Sequence, residues 1–342
     1  MRTPSAVLTG LGGYVPSTEV TNEDLASRMD TNDEWIRTRT GIATRRFVRP
    51  GQSTGDLAVV AGKRALHSAG IASTELVILA TTTPDHRCPA TAPWVASQLG
   101  MESVPAFDIS AVCSGFIYAL AQASAFISSG QYRSVLVIGA DTFSTIVDPT
   151  DRATAIIFGD GAGAVVLEAG EAGSSGEVSS FDLKSNGHDS ELIQIKAGGS
   201  RFPMPPGTKS EGTFLTMQGR TVFMTAVQAM VSSSKRALER SGWRAEDVDQ
   251  FVAHQANQRI LHQVATAIGV PVERAVIHLD RVGNTSAASI PLALAAHAAQ
   301  LMAGDRILLT AFGGGSTWGS GTILWPALDA VDPCNQTEMV SS

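Results

Sequence analysis

The sequence predicts an α/β protein built from two related halves, each around a central sheet, and three internal matches carry that prediction. KRALHSAGIASTELVILA from Lys63 returns, half a chain later, as KRALERSGWRAEDVDQFVA from Lys235. RSVLVIGADT from Arg133 returns at nearly the same offset as RILLTAFGGG from Arg306. GAGAVVL from Gly161 is similar to GSGTILW from Gly319. Three matches in chain order indicate a duplication.

Each element follows from local pattern. The KRAL copies read as helix ends, broken by Gly70 and Gly242 and followed by apolar runs expected to be buried strands. PAFDIS and AVIHLD are extended segments, and each precedes a small-residue stretch compatible with a helix: AVCSGFIYAL in one half, AASIPLALAAHAA in the other. RSVLVIGADT and RILLTAFGGG are strands, and GAGAVVL and GSGTILW are small-residue turns feeding the last strand of each half. The unit is strand–helix–strand–helix–strand–strand, which places the halves at 1–172 and 173–328. Glu171–Thr213, rich in Gly, Ser and Pro, is expected to be the crossover plus surface loops. The polar tail 329–342 is expected to be disordered.

Composition bounds the function. The 342 residues are 44% hydrophobic and 17% charged, with a formal charge of −7 and no long basic run, which argues against a nucleic-acid partner. No run of about 18 apolar residues is present, and the N-terminus lacks the apolar core of a signal peptide, so no membrane association is expected. Cys88, Cys113 and Cys334 are widely spaced with no CxxC pair, so neither a disulfide framework nor a metal site is expected and the compartment is read as a reducing cytoplasm.

Cys113 by itself is open to two readings, a buried packing residue or a nucleophile. It stands at a strand-to-helix turn, where the helix N-terminus would lower its pKa towards 7 or below. Carried across by the repeat, position 113 reaches Asn284 in RVGNTSAAS, at the matching place in the second half. His254, in FVAHQANQRI, follows an apolar strand at the sheet edge where ligand sites gather. The repeat thus brings Cys113, His254 and Asn284 to strand ends of facing halves. Gly313, Gly314 and Gly315 permit close backbone approach to a developing oxyanion. GDGAGA at 159–164 lacks the helix that a dinucleotide loop needs.

With TNDEWIRTRTGI, AVCSGFIYAL, DRATAIIFGDGAGAVVLE, HQANQRI, GNTSAASIP and FGGGSTWGS in order, the chain resembles the beta-ketoacyl-acyl-carrier-protein synthases III over residues 5–326. These are condensing enzymes of the thiolase superfamily that start fatty-acid and some polyketide chains. The resemblance implies a layered α-β-α-β-α thiolase-like fold with two pseudo-twofold-related halves. It implies Cys113 as the acylated nucleophile, His254 and Asn284 as donors to the enolate formed on decarboxylation, and the Cys113 and Gly314 N–H groups as the oxyanion hole. Trp35 and Arg152 would sandwich the adenine of coenzyme A, with Thr31, Arg39 and Asn257 as further contacts. Acyl-CoA is then a substrate, malonyl-acyl carrier protein the second partner, no cofactor is implied, and a homodimer is expected.

Three departures from the family pattern matter. Cys88 stands where some members carry a Phe that crosses the dimer into the partner's acyl pocket, so a roomier pocket for branched or medium-length primers is expected. Met224, Thr266 and Ala267 replace lysines of the carrier-docking face, where Arg259 remains and Lys235, Arg236, Arg240 and Arg244 would form a substitute patch. Ser316 replaces a Phe in the glycine loop. The residues leave two rivals to condensation: acyl transfer from Cys113 to another acceptor, and a catalytically idle acyl-CoA-binding subunit.

Overall fold

The computed structural model describes residues 3–204, 212–328 and 330–335. The front half opens with β1 (Ser5–Tyr14), followed by a small hairpin of β2 (Thr18–Thr21) and β3 (Thr44–Phe47). Helices α1 (Asn22–Ala26) and α2 (Asp33–Thr40) lie between the hairpin strands. Next come α3 (Thr54–Ala69), β4 (Leu76–Ala80), α4 (Ala92–Gln98), β5 (Ala106–Ile109), α5 (Gly115–Ser128), β6 (Ser134–Thr142) and β7 (Asp160–Gly170). The rear half runs through β8 (Val178–Ser185), the short pair β9 (Ile193–Gln194) and β10 (Thr216–Met217), α6 (Gly219–Ser241) and β11 (Gln250–Ala253). It closes with α7 (Gln258–Ile268), α8 (Leu279–Val282), α9 (Ser289–His297), β12 (Arg306–Gly313) and β13 (Thr317–Leu324).

The sheets repeat one another. The front order is β1-β7-β6-β4-β5 and the rear order β8-β13-β12-β11. In both, the strand after the KRAL helix pairs in parallel with a central strand, whose other neighbour is antiparallel. The rear counterpart of β5 is reduced to a single parallel bridge between Phe251 and Ala275. Both KRAL helices end on a left-handed glycine, Gly70 at φ 67° and Gly242 at φ 70°, the conformation that closes a helix at no Cβ cost.

Helices α5 and α9 are apolar on nearly every face, as a helix buried on all sides must be. They form the middle layer: α5 packs on β6 and β13, α9 on β7 and β11. Outside the sheets, α3 covers β1 and β7, and α6 covers β13 and β8. The five layers are the α-β-α-β-α arrangement expected from the resemblance.

Two expectations need correcting here. The Glu171–Thr213 stretch is not all crossover, since it carries β8, the first strand of the rear sheet; its residues 205–211 lie outside the described residues. The tail is packed where it is described. The Val15 N–H donates to the Pro333 carbonyl (3.4 Å), Arg64 Nη2 donates to the Asn335 carbonyl (2.7 Å), and Cys334 packs beside Val15, Val282 and Leu292. Positions 329 and 336–342 lie outside the described residues.

Candidate active site

Cys113 sits on the 3-10 turn Val112–Ser114 between β5 and α5, and the rear half makes the same turn at Ser286–Ala288 before α9. Each turn opens on a left-handed residue, Val112 at φ 48° and Ser286 at φ 51°, a costly conformation for side-chain-bearing residues. Each rests on a glycine of a central strand. A Cβ on Gly313 would stand 2.7 Å from the Cys113 nitrogen, and one on Gly139 would run into the Ala287 carbonyl. Val112 and Ser286 are therefore the equivalent positions of the two halves. That makes Ala287, not Asn284, the counterpart of Cys113, and Asn284 precedes the rear turn.

The three predicted residues nevertheless converge. Cys113, His254 and Asn284 line one buried cavity of about 50 Å³ whose other walls are apolar, among them Phe143, Phe158, Met217 and Phe312. Asn284 is held by the front half: its N–H donates to the Ile157 carbonyl and its carbonyl accepts from the Gly159 N–H, both at 2.9 Å. Its Oδ1 accepts the Ser286 N–H at 2.9 Å, which leaves the Nδ2 donors for the cavity. His254 follows β11, and its Nδ1 lies 2.7 Å from Ser289 Oγ. That oxygen already accepts the Gln255 N–H (3.3 Å). Donation of the hydroxyl proton to Nδ1 completes its bonding and leaves Nε2 protonated. Gln255, also buried, donates to the Ala253 and Val276 carbonyls and accepts from the His278 and Leu279 N–H groups. It clamps the end of β11 to the segment leading to Asn284.

Burial decides the charge states. It pushes the Cys113 thiol up to about 12, with the nearby Asp141 adding to the rise, while the Ser286 hydroxyl and a backbone N–H oppose it. The lowering expected from the helix N-terminus does not prevail. A helix end is worth about 0.3–2 kcal/mol, about one pKa unit, whereas full burial shifts a group by up to roughly 3–5 units. Burial also pulls His254 down to about 3. The resting pair at neutral pH is a thiol and a neutral imidazole.

The residues expected to contact coenzyme A divide, Trp35, Arg39 and Arg152 being grouped together. Asn32 Oδ1 caps α2 by accepting the Trp35 N–H (2.8 Å), and the Trp35 ring carries the guanidinium carbons of Arg152 at 4.6 Å and Arg39 at 5.7 Å. Thr31 Oγ1 is buried without a partner. Arg152 lies directly on Trp35, so the expected sandwich is closed; a base between them needs roughly 7 Å, two contacts of about 3.5 Å. Asn257 is not a free contact. Its Oδ1 caps α7 by accepting the Arg259 N–H and its Nδ2 donates to the Arg39 carbonyl, each at 2.9 Å. It positions Arg39.

The remaining sequence-predicted residues divide. Gly314 is buried beside Val112 and Ile193, next to the Cys113 turn. Arg259 is exposed at the start of α7 with its guanidinium 5.8 Å from the Phe223 ring centroid, near the cavity wall formed by Val222, Ala226 and Ile260. Lys235 and Arg236 do not extend that face. They lie on α6 about 18 Å beyond Phe223 at 1.5 Å per residue. Arg236 is bound to Asp182 (2.9 Å), as is Arg240 (3.5 Å), and Arg244 pairs with Glu246 and Asp247. The three arginines of the expected substitute patch are thus paired with carboxylates at the far helix end, and Lys235 is exposed beside them. Cys88 is exposed and outside the cavity of its own chain, whose walls include the stacked Phe143 and Phe158 rings. Ser316 is buried at φ 46° under the turn at 187–192, its Oγ 3.5 Å from the Asp189 carbonyl. Sequence reasoning gave no role to Ser289, Gln255, Asp141 and Phe158, although they stand inside GNTSAASIP, HQANQRI, RSVLVIGADT and DRATAIIFGDGAGAVVLE, nor to Phe143, which stands in none of these stretches.

Among the described residues no group of three or more His, Cys, Asp or Glu could hold a metal ion, and no helix is long and apolar enough to cross a membrane. The family models of 3-oxoacyl-(acyl-carrier-protein) synthase III and of its C-terminal part match residues 107–187 and 238–325. Beta-ketoacyl-acyl-carrier-protein synthase III 5 of Streptomyces coelicolor is 56% identical over 96% of this chain and 99% of its own. The crystal structure of 3-oxoacyl-(acyl carrier protein) synthase III from Pseudomonas aeruginosa PAO1 superposes with a TM-score of 0.89, at 46% identity, over 95% of this chain and 99% of that one. A priming beta-ketosynthase of a polyketide biosynthetic pathway superposes at 0.88 with 32% identity, over 95% and 97%.

Five layers, a duplicated sheet and a buried cysteine facing a histidine and an asparagine define a thiolase-like, acyl-transferring condensing enzyme. With relatives this similar over nearly the whole chain, its place within that class is settled. The chain belongs to the beta-ketoacyl-acyl-carrier-protein synthase III family.

Proposed function

We propose that Cys113 takes an acyl primer from acyl-CoA and passes it to the carbanion formed from malonyl-acyl carrier protein. In the first step Cys113 Sγ attacks the thioester carbonyl, the C–S bond to CoA breaks, and the thiol proton ends on the CoA sulfur. The Cys113 and Gly314 N–H groups would hold the oxyanion of this step. In the second, the malonyl C–C bond breaks, CO₂ leaves and the electron pair spreads onto the thioester oxygen. His254 Nε2–H and Asn284 Nδ2 donate to that oxygen. The carbanion then attacks the acyl carbonyl and the Cys113 thiolate departs. One observation carries the reading: Ser289 and the Ser286 N–H orient both donors into the cavity that holds the thiol. A neutral imidazole suits a donor that must not give up its proton, and a neutral amide avoids the repulsion a carboxylate would bring.

Incubation with labelled acyl-CoA, followed by malonyl-carrier, tests it. Label on Cys113, then CO₂ and a 3-oxoacyl product, is the expected course. Acylation without CO₂ points to transfer onto another acceptor, and an unlabelled Cys113 sinks the proposal.

The same reading extends to substrates and partners. The Trp35, Arg152, Arg39 and Thr31 group would take the adenine end of acyl-CoA, with Arg152 swinging off the indole; the chemistry calls for no cofactor. The carrier would dock about Arg259, where the exposed Met224, Thr266 and Ala267 add no charge, so its association should depend weakly on salt. A homodimer is favoured by the edge strand β5, paired on one side only, and by the exposed Trp94; Cys88 would then border the partner's acyl chamber.

Primer length is set in the chain itself by the stacked Phe143 and Phe158 rings, 4.6 Å apart. Phe158 also lines a second cavity of about 30 Å³ with Val147 and Ala155. Phe143→Leu is expected to raise kcat/KM for a primer one or two methylenes longer, relative to the short one, by about tenfold, since a methylene is worth roughly 1–3 kcal/mol. A competition assay with a primer series measures this, and an unchanged ratio excludes the wall as a ruler.

A further inference from the structure

Asp141 is a fully buried carboxylate that the reaction above leaves without a part. It stands at the end of β6 on the seam between halves. Its Oδ1 accepts the Thr82 N–H (2.7 Å), the Thr83 N–H (3.2 Å) and the Thr81 and Thr83 hydroxyls (both 3.2 Å), all from the front half. Its Oδ2 accepts the Ala287 N–H (3.1 Å) from the rear half. Ala287 follows Ser286, held at φ 51°, whose Oγ is buried and lacks a partner of good hydrogen-bond geometry. That hydroxyl lies close enough to Cys113 and Asp141 to favour the charged form of each. The Ser286 N–H, in turn, makes the 2.9 Å bond to Asn284 Oδ1. A continuous path of contacts therefore runs from Asp141 through the Ser286–Ala287 turn to the Asn284 amide.

We propose that Asp141 is a positioning residue for decarboxylation: by tying the Ser286–Ala287 turn to the Thr81–Thr83 segment, it determines which way the Asn284 amide faces. The proposal rests on the reading of Asn284 as a donor to the enolate. An ordinary structural residue would affect both half-reactions alike, whereas Asp141 is expected to act on them in opposite directions. Its negative charge faces Cys113 and disfavours the thiolate, so it opposes thiol reactivity while it supports the second step.

Asp141→Asn separates these effects. An amide keeps the size and one acceptor but presents NH₂ where the second oxygen accepted, so one of the N–H partners is lost. Alkylation of Cys113 by iodoacetamide is expected to be faster than in the wild type and acylation by acyl-CoA to be retained. Condensation should fall about tenfold to a hundredfold in kcat with KM for malonyl-carrier little changed, the loss that a small misplacement of a catalytic group brings.

The wild type supplies a second readout. Burial raises Asp141 to about 6, against the hydrogen bonds from Thr82, Ser286, Ala287 and Thr83. As pH falls through that value the carboxylate gains a proton and loses an acceptor position, so the ratio of condensation to acylation should fall. The titratable groups facing Asp141 are the Cys113 thiol, raised to about 12, and Asp160 on β7, raised to about 6 by burial. Asp160 accepts from the Val48 and Ser144 N–H groups and follows Gly159, whose N–H donates to the Asn284 carbonyl, so it is the carboxylate that must be told apart from Asp141. The Asp141→Asn variant distinguishes the two carboxylates: its ratio should be low and flat from pH 7 to 5.

An Asp141→Asn variant that condenses like the wild type, or loses both half-reactions equally, overturns the proposal. So does a variant ratio that still falls below pH 6. Should the variant not fold, a wild-type ratio that stays flat from pH 7 to 5 overturns it as well. A wild type that acylates Cys113 without releasing CO₂ overturns the condensing reading itself, a result distinct from wild-type condensation with an unaltered variant.

Discussion

Asn284→Ala is expected to leave Cys113 open to acylation while CO₂ release from malonyl-carrier slows by about 10²–10³-fold, the usual cost of deleting one donor from a preorganised oxyanion site. The amide is well placed for such an effect. Its backbone is fastened to the Ile157 and Gly159 segment and its Oδ1 is occupied by the Ser286 N–H, so the Nδ2 group needs no reorganisation when the enolate forms. The cavity is largely apolar, and a donor in such surroundings acts with little screening. Acylation needs different groups, the thiol and its neighbouring N–H donors, and so survives. The two rates are read separately, by mass of the acylated protein and by trapped CO₂. Equal losses in both would show that Asn284 serves the fold rather than the second step.

Gly313→Ala is expected to cost about 1–3 kcal/mol of stability and to reduce acylation of Cys113 by about a hundredfold, because the added methyl displaces the nucleophile's backbone. The atoms it would meet are the Cys113 nitrogen at 2.7 Å, the Ser114 nitrogen at 2.9 Å and the Ala111 carbonyl at 3.0 Å. None is the end of a flexible side chain, so the turn itself must shift, and with it the Cys113 N–H that the proposed reaction uses for the acyl oxyanion. Gly187→Ala is the control, since nothing lies within 4 Å of its added Cβ and its φ is not positive. Thermal melts and labelling of the two variants side by side measure both effects. A Gly313→Ala protein that melts and acylates like the control would remove the close approach of β12 from the account of the site.

Much of this arrangement is legible in the residues. The repeated KRAL–Gly signal is local, because helix termination depends on the few residues about the left-handed glycine, and both copies behave alike. The strand and helix starts around Cys113, His254 and Asn284 are equally local, and so the set can be assembled before any contact is known. The register between the halves is less secure. Aligning motifs where the chemistry sits pairs Cys113 with Asn284, whereas aligning them where the chain turns pairs it with Ala287. Val112 and Ser286 mark the true equivalence, but a left-handed φ at a residue other than glycine has no signature in composition.

Charge state and partnership are not legible. A helix start predicts an acidified thiol, and burial reverses that, since desolvation depends on every atom packed around the sulfur. Lys235 and Arg236 read as a basic patch in one dimension, yet Asp182, on a different element far back along the chain, holds Arg236. Ser289 and Asp141 are an ordinary helix serine and an ordinary strand-end carboxylate when read in line. Only their neighbours across the seam make one a partner of His254 and the other a brace for Ala287. The duplication, the layered α/β class and the grouping of Cys113, His254 and Asn284 were thus written in the chain, because periodicity, turn chemistry and side-chain type reside in short stretches. Which protons these groups carry, which way the Asn284 amide faces and how the Phe143–Phe158 wall bounds the cavity emerged only on folding. Those properties depend on dielectric, hydrogen-bond satisfaction and packing among residues from separate elements, and no short stretch contains them.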